Sequence, residues 1–295
     1  MSDAAGFPSQ DATPWTERPE ASDRLTKVIA VTSGKGGVGK TSFAANVAIA
    51  LQKRRKRVLI LDADLGLANI DVILGLRPQY SLHHVIEGEK RVSEVLVRGP
   101  AGIEILPAGS GVGTMGELDE SAKVRLMEAL EEIEGRYDIV LIDTGAGISS
   151  NVIYFNLAAQ ATVVVVTPEP TSRTDAYALI KILYLRHAQK RFEILVNEAS
   201  SAAEGRRVYQ NLTDTADRHL GGVSLGYLGC LTLDPRVPDA VRAQRPVIEQ
   251  FPDCAFSSEI RSIAPRVANL AVAELDGSLG FFWRRLLRSA PAAEM

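Results

Sequence analysis

Gly34-Lys35-Gly36-Gly37-Val38-Gly39-Lys40-Thr41 stands between an apolar run, Val28–Thr32, and a stretch with helical spacing that continues through Ser42. Glycines at 34, 36, 37 and 39 let a backbone curl until successive N–H groups converge, and converging amides bind phosphate oxygens. A helix opening near Lys40 brings the positive end of its dipole to the same point. In a strand–loop–helix setting this is a phosphate-binding loop for a nucleoside triphosphate. Lys40 is expected to meet the β- and γ-phosphates, and the Thr41 hydroxyl to ligate Mg²⁺.

Two further apolar runs end in aspartate: Leu59-Ile60-Leu61-Asp62-Ala63-Asp64 and Ile139-Val140-Leu141-Ile142-Asp143. In an open parallel sheet, ligands lie beyond the C-terminal strand ends, so these acids converge near the loop. Asp143 is placed to hold Mg²⁺, directly or through water. Asp64 sits two residues past Asp62 and leaves the strand end toward the γ-phosphate. Asp143-Thr144-Gly145-Ala146-Gly147-Ile148 reads as a turn of small residues whose amides can approach that phosphate and move when it departs.

The elements that position these residues are legible as alternation. Strands are expected at Val28–Thr32, Val58–Asp62, Ile103–Leu106, Ile139–Asp143, Thr162–Thr167, Phe192–Val196 and Val223–Leu228. Several are nearly continuous in Val, Ile and Leu, as strands covered on both faces are. Helices are expected at Lys40–Arg54, Glu120–Glu134, Thr171–Ala188 and Glu204–Leu220, the third opening after Pro170 with Thr171 as its cap. Strands alternating with helices predict an α/β fold: a mainly parallel, twisted sheet flanked by helices. The expected domain runs over residues 25–275. Residues 1–24, with Pro8, Pro14 and Pro19 among polar residues, read as a flexible N-terminal arm.

The 295 residues are 46% hydrophobic and 23% charged, ordinary for a soluble globular chain. A net charge of −3 provides no global field for nucleic acid, so DNA is not an expected partner and its binding would need a local patch. The one dense basic run, Gln52–Arg57, suits the C-terminal end of a helix. Cys230 and Cys254 form no metal motif; they read as reduced thiols, with a single disulfide left open. No signal peptide and no apolar run of ~18 residues is present. The expected location is the cytoplasm, with reversible binding to the inner face of the cell membrane.

Lys35, a second lysine early in the loop, marks the deviant Walker A form, KGGxGKT. Here the sequence resembles the MinD/ParA ATPases of the SIMIBI type of P-loop NTPase, over residues 27 to about 275. The resemblance implies ATP and Mg²⁺ as ligands and ATP hydrolysis as the activity. It implies that Lys35 reaches across a homodimer to the other subunit's ATP, as an arginine finger does. It further implies that Asp64 orients or activates the attacking water, that Asp62 and Asp143 serve the magnesium shell, and that Asn69 contacts the hydrolysis site. Asn197, after Phe192–Val196, matches the position that reads adenine, and Pro235 and Arg236 occupy a later loop over the base.

Within the family, Leu61–Asp71, Asp143–Ile148 and Thr167-Pro168-Glu169-Pro170-Thr171-Ser172 look like the flagellar-number regulators. That branch implies control of flagellar number and placement, with an FlhF-type GTPase and flagellar switch or transcription proteins as partners. Ser9-Gln10-Asp11-Ala12, followed closely by Pro14, departs from the helical Asp-Gln-Ala motif with which such proteins stimulate the GTPase. The nearest alternatives are a MinD-like septum-site ATPase and a ParA-like DNA-partitioning ATPase. An iron–sulfur carrier with the same loop would need paired cysteines.

Past the break Asp276-Gly277-Ser278-Leu279-Gly280 lies a tail, residues 276–295. Leu279, Phe282, Trp283, Leu286 and Leu287 fall on one helical arc, and Arg284, Arg285 and Arg288 lie opposite, with Phe281 breaking the pattern. A basic amphipathic helix of this composition is expected to anchor on anionic inner-membrane lipid. The same stripe would also serve a helix docked on its own domain.

Overall fold

Eight strands form one sheet, in the order β3-β4-β2-β5-β1-β6-β7-β8. They are β1 (Lys27–Ser33), β2 (Val58–Ala63), β3 (Val97–Arg98), β4 (Glu104–Leu106), β5 (Ile139–Ala146), β6 (Ala161–Val166), β7 (Arg191–Ala199) and β8 (Ser224–Thr232). All pairings are parallel except that of the two-residue β3 with β4. The structure is a computed structural model that describes residues 26–65, 69–109, 118–133 and 135–271. The expected arm at 1–24 and the expected tail at 276–295, membrane-facing residues included, lie outside the described residues.

Alternation along each strand sends side chains to two faces. On one face Ile29, Val31, Ile60, Leu141 and Val165 pack under α1 (Lys40–Lys53), α2 (Ile70–Leu74), α9 (Arg236–Arg242), α10 (Val247–Gln250) and α11 (Ala255–Ala268). On the other, Val28, Leu61, Val140 and Ile142 meet α3 (Leu82–Ile86), α4 (Val92–Val95), α5 (Glu120–Glu131) and α6 (Ser150–Ala158). Val164, Ile194 and Val196 on that face meet α7 (Pro170–His187) and α8 (Ala202–Leu220). Because β1, β2 and β5 run the same way side by side, their C-terminal ends open on one edge. Chain direction alone therefore gathers the loop and both aspartate runs there.

Each of the seven expected strands overlaps an observed one, with Ile103 and Val223 just before β4 and β8 and Thr167 just after β6. β5, β7 and β8 run on through Ala146, Ala199 and Thr232. Asp143–Ala146 of the expected small-residue turn is therefore strand, and Gly147 and Ile148 follow it. The helix after β6 needs a correction. Its N-cap is Glu169 with Pro170 at the first position, and Thr171 is not its cap. Ser172 instead accepts a hydrogen bond from the Thr167 N–H at 3.0 Å, closing the turn from the other side. The thiols of Cys230 and Cys254 are free.

Candidate functional site: a phosphate loop beside two buried carboxyls

The loop leaves β1 at Ser33 and enters α1 at Lys40, with Gly37 and Gly39 in the left-handed region at φ 77° and 86°. A Cβ at Gly39 would also stand 2.3 Å from the Asn197 amide nitrogen, which would have to move from its bond to the Val38 carbonyl. Gly34 is tighter still, because its Cβ would lie 2.1 Å from the Asp175 carbonyl carbon in α7. The loop is thus seated on the backbone of α7 at one end and on β7 at the other. Gly36 and Gly37, between them, are exposed toward solvent.

Lys40 is 8% exposed, and its ammonium donates to the Ser33 hydroxyl at 3.0 Å. Burial lowers its pKa, and the nearby Asp143 and Asp64 carboxylates oppose that shift. Ser33 in turn donates to the Lys35 carbonyl at 2.6 Å, and Gly147 N–H donates to the Ser33 carbonyl at 2.9 Å. Ser33 is therefore the hub joining the loop, Lys40 and the small-residue turn, a role the sequence reading missed. Its only signal there was a polar pair, Thr32-Ser33, closing an apolar strand.

Asp62 and Asp143 are register partners on β2 and β5, 1% and 2% exposed. Each keeps one oxygen, Asp62 Oδ2 and Asp143 Oδ1, buried without a hydrogen-bond partner. Asp143 also bonds the Thr41 side chain. Desolvation pushes Asp143 up to about 6, against the pull of Thr41 and Lys40. It raises Asp62 well above the carboxylate range, with the Asp143 charge adding to the effect. Two buried carboxyls with idle oxygens, beside a hydroxyl, are an all-oxygen donor set suited to a hard divalent cation. The residues present therefore fit Mg²⁺, which Asp143, Thr41 and Asp62 would hold. When bound, the ion neutralises charge on the phosphates and on these carboxyls.

Those shifts have a measurable consequence. An acid whose folded pKa is raised binds protons more tightly when folded, so stability falls as pH rises from about 4 to about 6. For fully buried Asp143 the cost at neutral pH is on the order of 2–3 kcal/mol. Asp143→Asn is expected to raise the melting temperature of the nucleotide-free protein at pH 8 and to lose that gain toward pH 5. A gain independent of pH would contradict this origin.

Asp64 lies just past β2, where its N–H donates to Asp62 Oδ1 at 3.1 Å. Its Oδ1 would be 3.4 Å from a Cβ at Gly145, so the carboxyl leans on the end of β5. Asn69 is exposed and immediately precedes α2. Thr144, behind the turn, donates within a buried cluster that includes Thr32 and Asn156. Lys35 does not join Lys40. Its ammonium is paired with Glu169 Oε2 at 2.5 Å and with Thr171 Oγ1 at 3.1 Å, at the start of α7.

The Asn197 amide donates one N–H to the Val38 carbonyl at 2.8 Å, which braces the phosphate loop beside the expected base site. The other base-site expectation is modified. Pro235 and Arg236 are exposed but form the N-cap and first residue of α9, not a loop.

A profile of the AAA domain matches residues 26–195. The antiactivator FleN of Pseudomonas aeruginosa is 45% identical over 89% of this chain and 94% of its own. The chain belongs to the MinD/ParA family of ATPases. The flagellum site-determining protein YlxH of Helicobacter pylori is 33% identical, over 89% of this chain and 90% of its own. Among solved structures, the septum site-determining protein MinD of Pyrococcus horikoshii, complexed with Mg-ADP, shares the fold. Its TM-score is 0.67 at 22% identity, over 85% of this chain and 100% of that one. As a MinD/ParA ATPase the chain is an enzyme that hydrolyses ATP with Mg²⁺. No helix among the described residues is long and apolar enough to cross a membrane.

Proposed function

We propose that this MinD/ParA ATPase is an ATP-dependent dimerising switch that sets flagellar number and placement and associates reversibly with the inner face of the cell membrane. The observation that carries the reading is the position of Lys35. Its side chain is 40% exposed at the rim of the loop and, among the described residues, is tethered to Glu169 and Thr171, with Glu169 62% exposed. A solvent-exposed pair is weakly held and readily exchanged. The ammonium is therefore free to trade its own subunit's carboxylate for the triphosphate of a second copy.

The division of labour follows. The loop amides and Lys40 hold the β- and γ-phosphates, and Asp64 orients the attacking water. The partner's lysine supplies charge in trans as the phosphoryl group leaves. Residues 25–275 form the ATPase unit, residues 1–24 an arm, and residues 276–295 the lipid-binding tail. A single short amphipathic helix binds weakly, and a dimer presenting two gains avidity. The flagellar role rests on the relatives named above, and an FlhF-type GTPase and flagellar switch or transcription regulators are the partners it implies.

Lys35→Ala is expected to lower turnover on the order of 10²-fold. It is also expected to abolish the rise of specific activity with protein concentration, measured by phosphate release from nanomolar to micromolar enzyme. Cells carrying only this variant are expected to make supernumerary flagella, counted by electron microscopy. Unchanged turnover with an unchanged concentration dependence would refute the shared site.

A further inference from the structure

We propose that the basic turn after α1, Arg54-Arg55-Lys56, is a second membrane contact. It would meet anionic lipid head groups beside the point where the C-terminal tail leaves the domain. This deepens the membrane association proposed above and rests on it.

The turn lies within five consecutive cations, Lys53–Arg57. The outer two are neutralised: Lys53 pairs with Glu249 at 3.2 Å and Arg57 with Asp138 at 3.0 Å. Arg54, Arg55 and Lys56 are exposed, and none of the three pairs with a carboxylate among the described residues. Their presentation is built in. Lys56 N–H bonds the Leu51 carbonyl and Arg55 N–H the Gln52 carbonyl, the paired closure that ends a helix with one left-handed residue. That residue is Arg55, at φ 63°. Glycine is free of steric cost at such a position and is the usual occupant. The helix dipole accounts for a cation in the last turn, but its effect falls off there and does not call for three.

The position matters as much as the charge. All strands but the two-residue β3 start on one edge, opposite the phosphate loop, and the turn sits on that edge just before β2. Lys27, the first residue of β1, donates from Nζ to the carbonyls of Ala268 and Leu270, both at 2.7 Å. It thereby pins the end of α11 on the same edge. Burial lowers the Lys27 pKa and the Lys56 charge lowers it further, which places Lys56 beside that exit. Leu279, the first apolar residue of the tail, follows Ala271 by eight residues, a reach of at most about 28 Å. A cationic turn and a basic amphipathic tail issuing next to it can meet one anionic surface together, and the phosphate loop on the far edge stays open. The chain as a whole carries −3, so this local excess of cations is segregated, not a property of the whole surface.

The test uses the full chain with ATP and vesicles of phosphatidylglycerol and phosphatidylcholine. It compares the parent, R54A/R55A/K56A and a chain ending at Asp276. Each cation near an anionic surface is worth about fivefold in affinity, so the triple variant is expected to bind roughly a hundredfold more weakly. Its salt dependence is expected to be shallower and its ATPase rate without vesicles unchanged. Equal pelleting of the parent and the chain ending at Asp276 would overturn the tail reading alone, and the triple variant then decides this inference by itself. A triple variant that pellets like the parent overturns the inference and leaves the tail intact. The same holds if it pellets normally but loses retention on duplex DNA, which would make the turn a nucleic-acid site.

Discussion

Asp64→Ala is expected to bind ATP with nearly unchanged affinity and to hydrolyse it on the order of 10²–10⁴-fold more slowly. The two carboxyls that fit the cation are Asp62 and Asp143, which are buried and each keep an oxygen idle. Asp64 is different: it is past the end of β2, less buried, and leans on Gly145 near the end of β5. A carboxylate there can accept a proton from water directed at the γ-phosphate while taking little part in holding the ion. Asp64→Asn keeps the shape and removes the base, so it is expected to resemble the alanine variant. Equilibrium binding of a fluorescent ATP analogue together with single-turnover phosphate release separates the two functions. Normal single-turnover hydrolysis in Asp64→Ala would end the assignment.

Lys40→Ala is expected to fail earlier, at binding. The ammonium is 8% exposed, its pKa already lowered by burial, and its hydrogen bond among the described residues is to the Ser33 hydroxyl. A buried cation facing two carboxylates is costly to maintain unless the triphosphate arrives to complete its environment. Its removal is expected to reduce kcat/KM on the order of 10³–10⁴-fold, the loss of a preorganised charge on the transferring group. Because the residue's burial serves the ligand rather than the fold, the variant's melting temperature without nucleotide is expected to equal or exceed the parent's. The stabilisation that ATP gives the parent is expected to vanish. A variant that ATP still stabilises fully would show that the loop amides suffice.

The sheet was readable because strands buried on both faces are runs of Val, Ile and Leu, and because a phosphate loop between strand and helix specifies its own surroundings. Helices α6 and α11 were not readable, for opposite reasons. In residues 150–158 the four consecutive apolar residues Val152–Phe155 show no helical stripe, and Pro265 sits inside α11 where it signals a break. Likewise Lys40, Thr41, Asp62 and Asp143 announce themselves by motif, whereas Ser33, Glu169 and the brace from Asn197 to Val38 exist only through contacts between distant segments. Lys35 and Glu169 are 134 residues apart, and no spacing rule joins them.

Gly34 has no room for a single methyl group because α7's backbone at Asp175 occupies that space. Loop and helix are therefore one mechanical body, and neither can shift by a few tenths of an ångström without the other. A partner that gripped the outer face of α7 and displaced it would press on the loop and so would change the affinity for nucleotide. Thermodynamic reciprocity then requires nucleotide to change the affinity for that partner by the same factor.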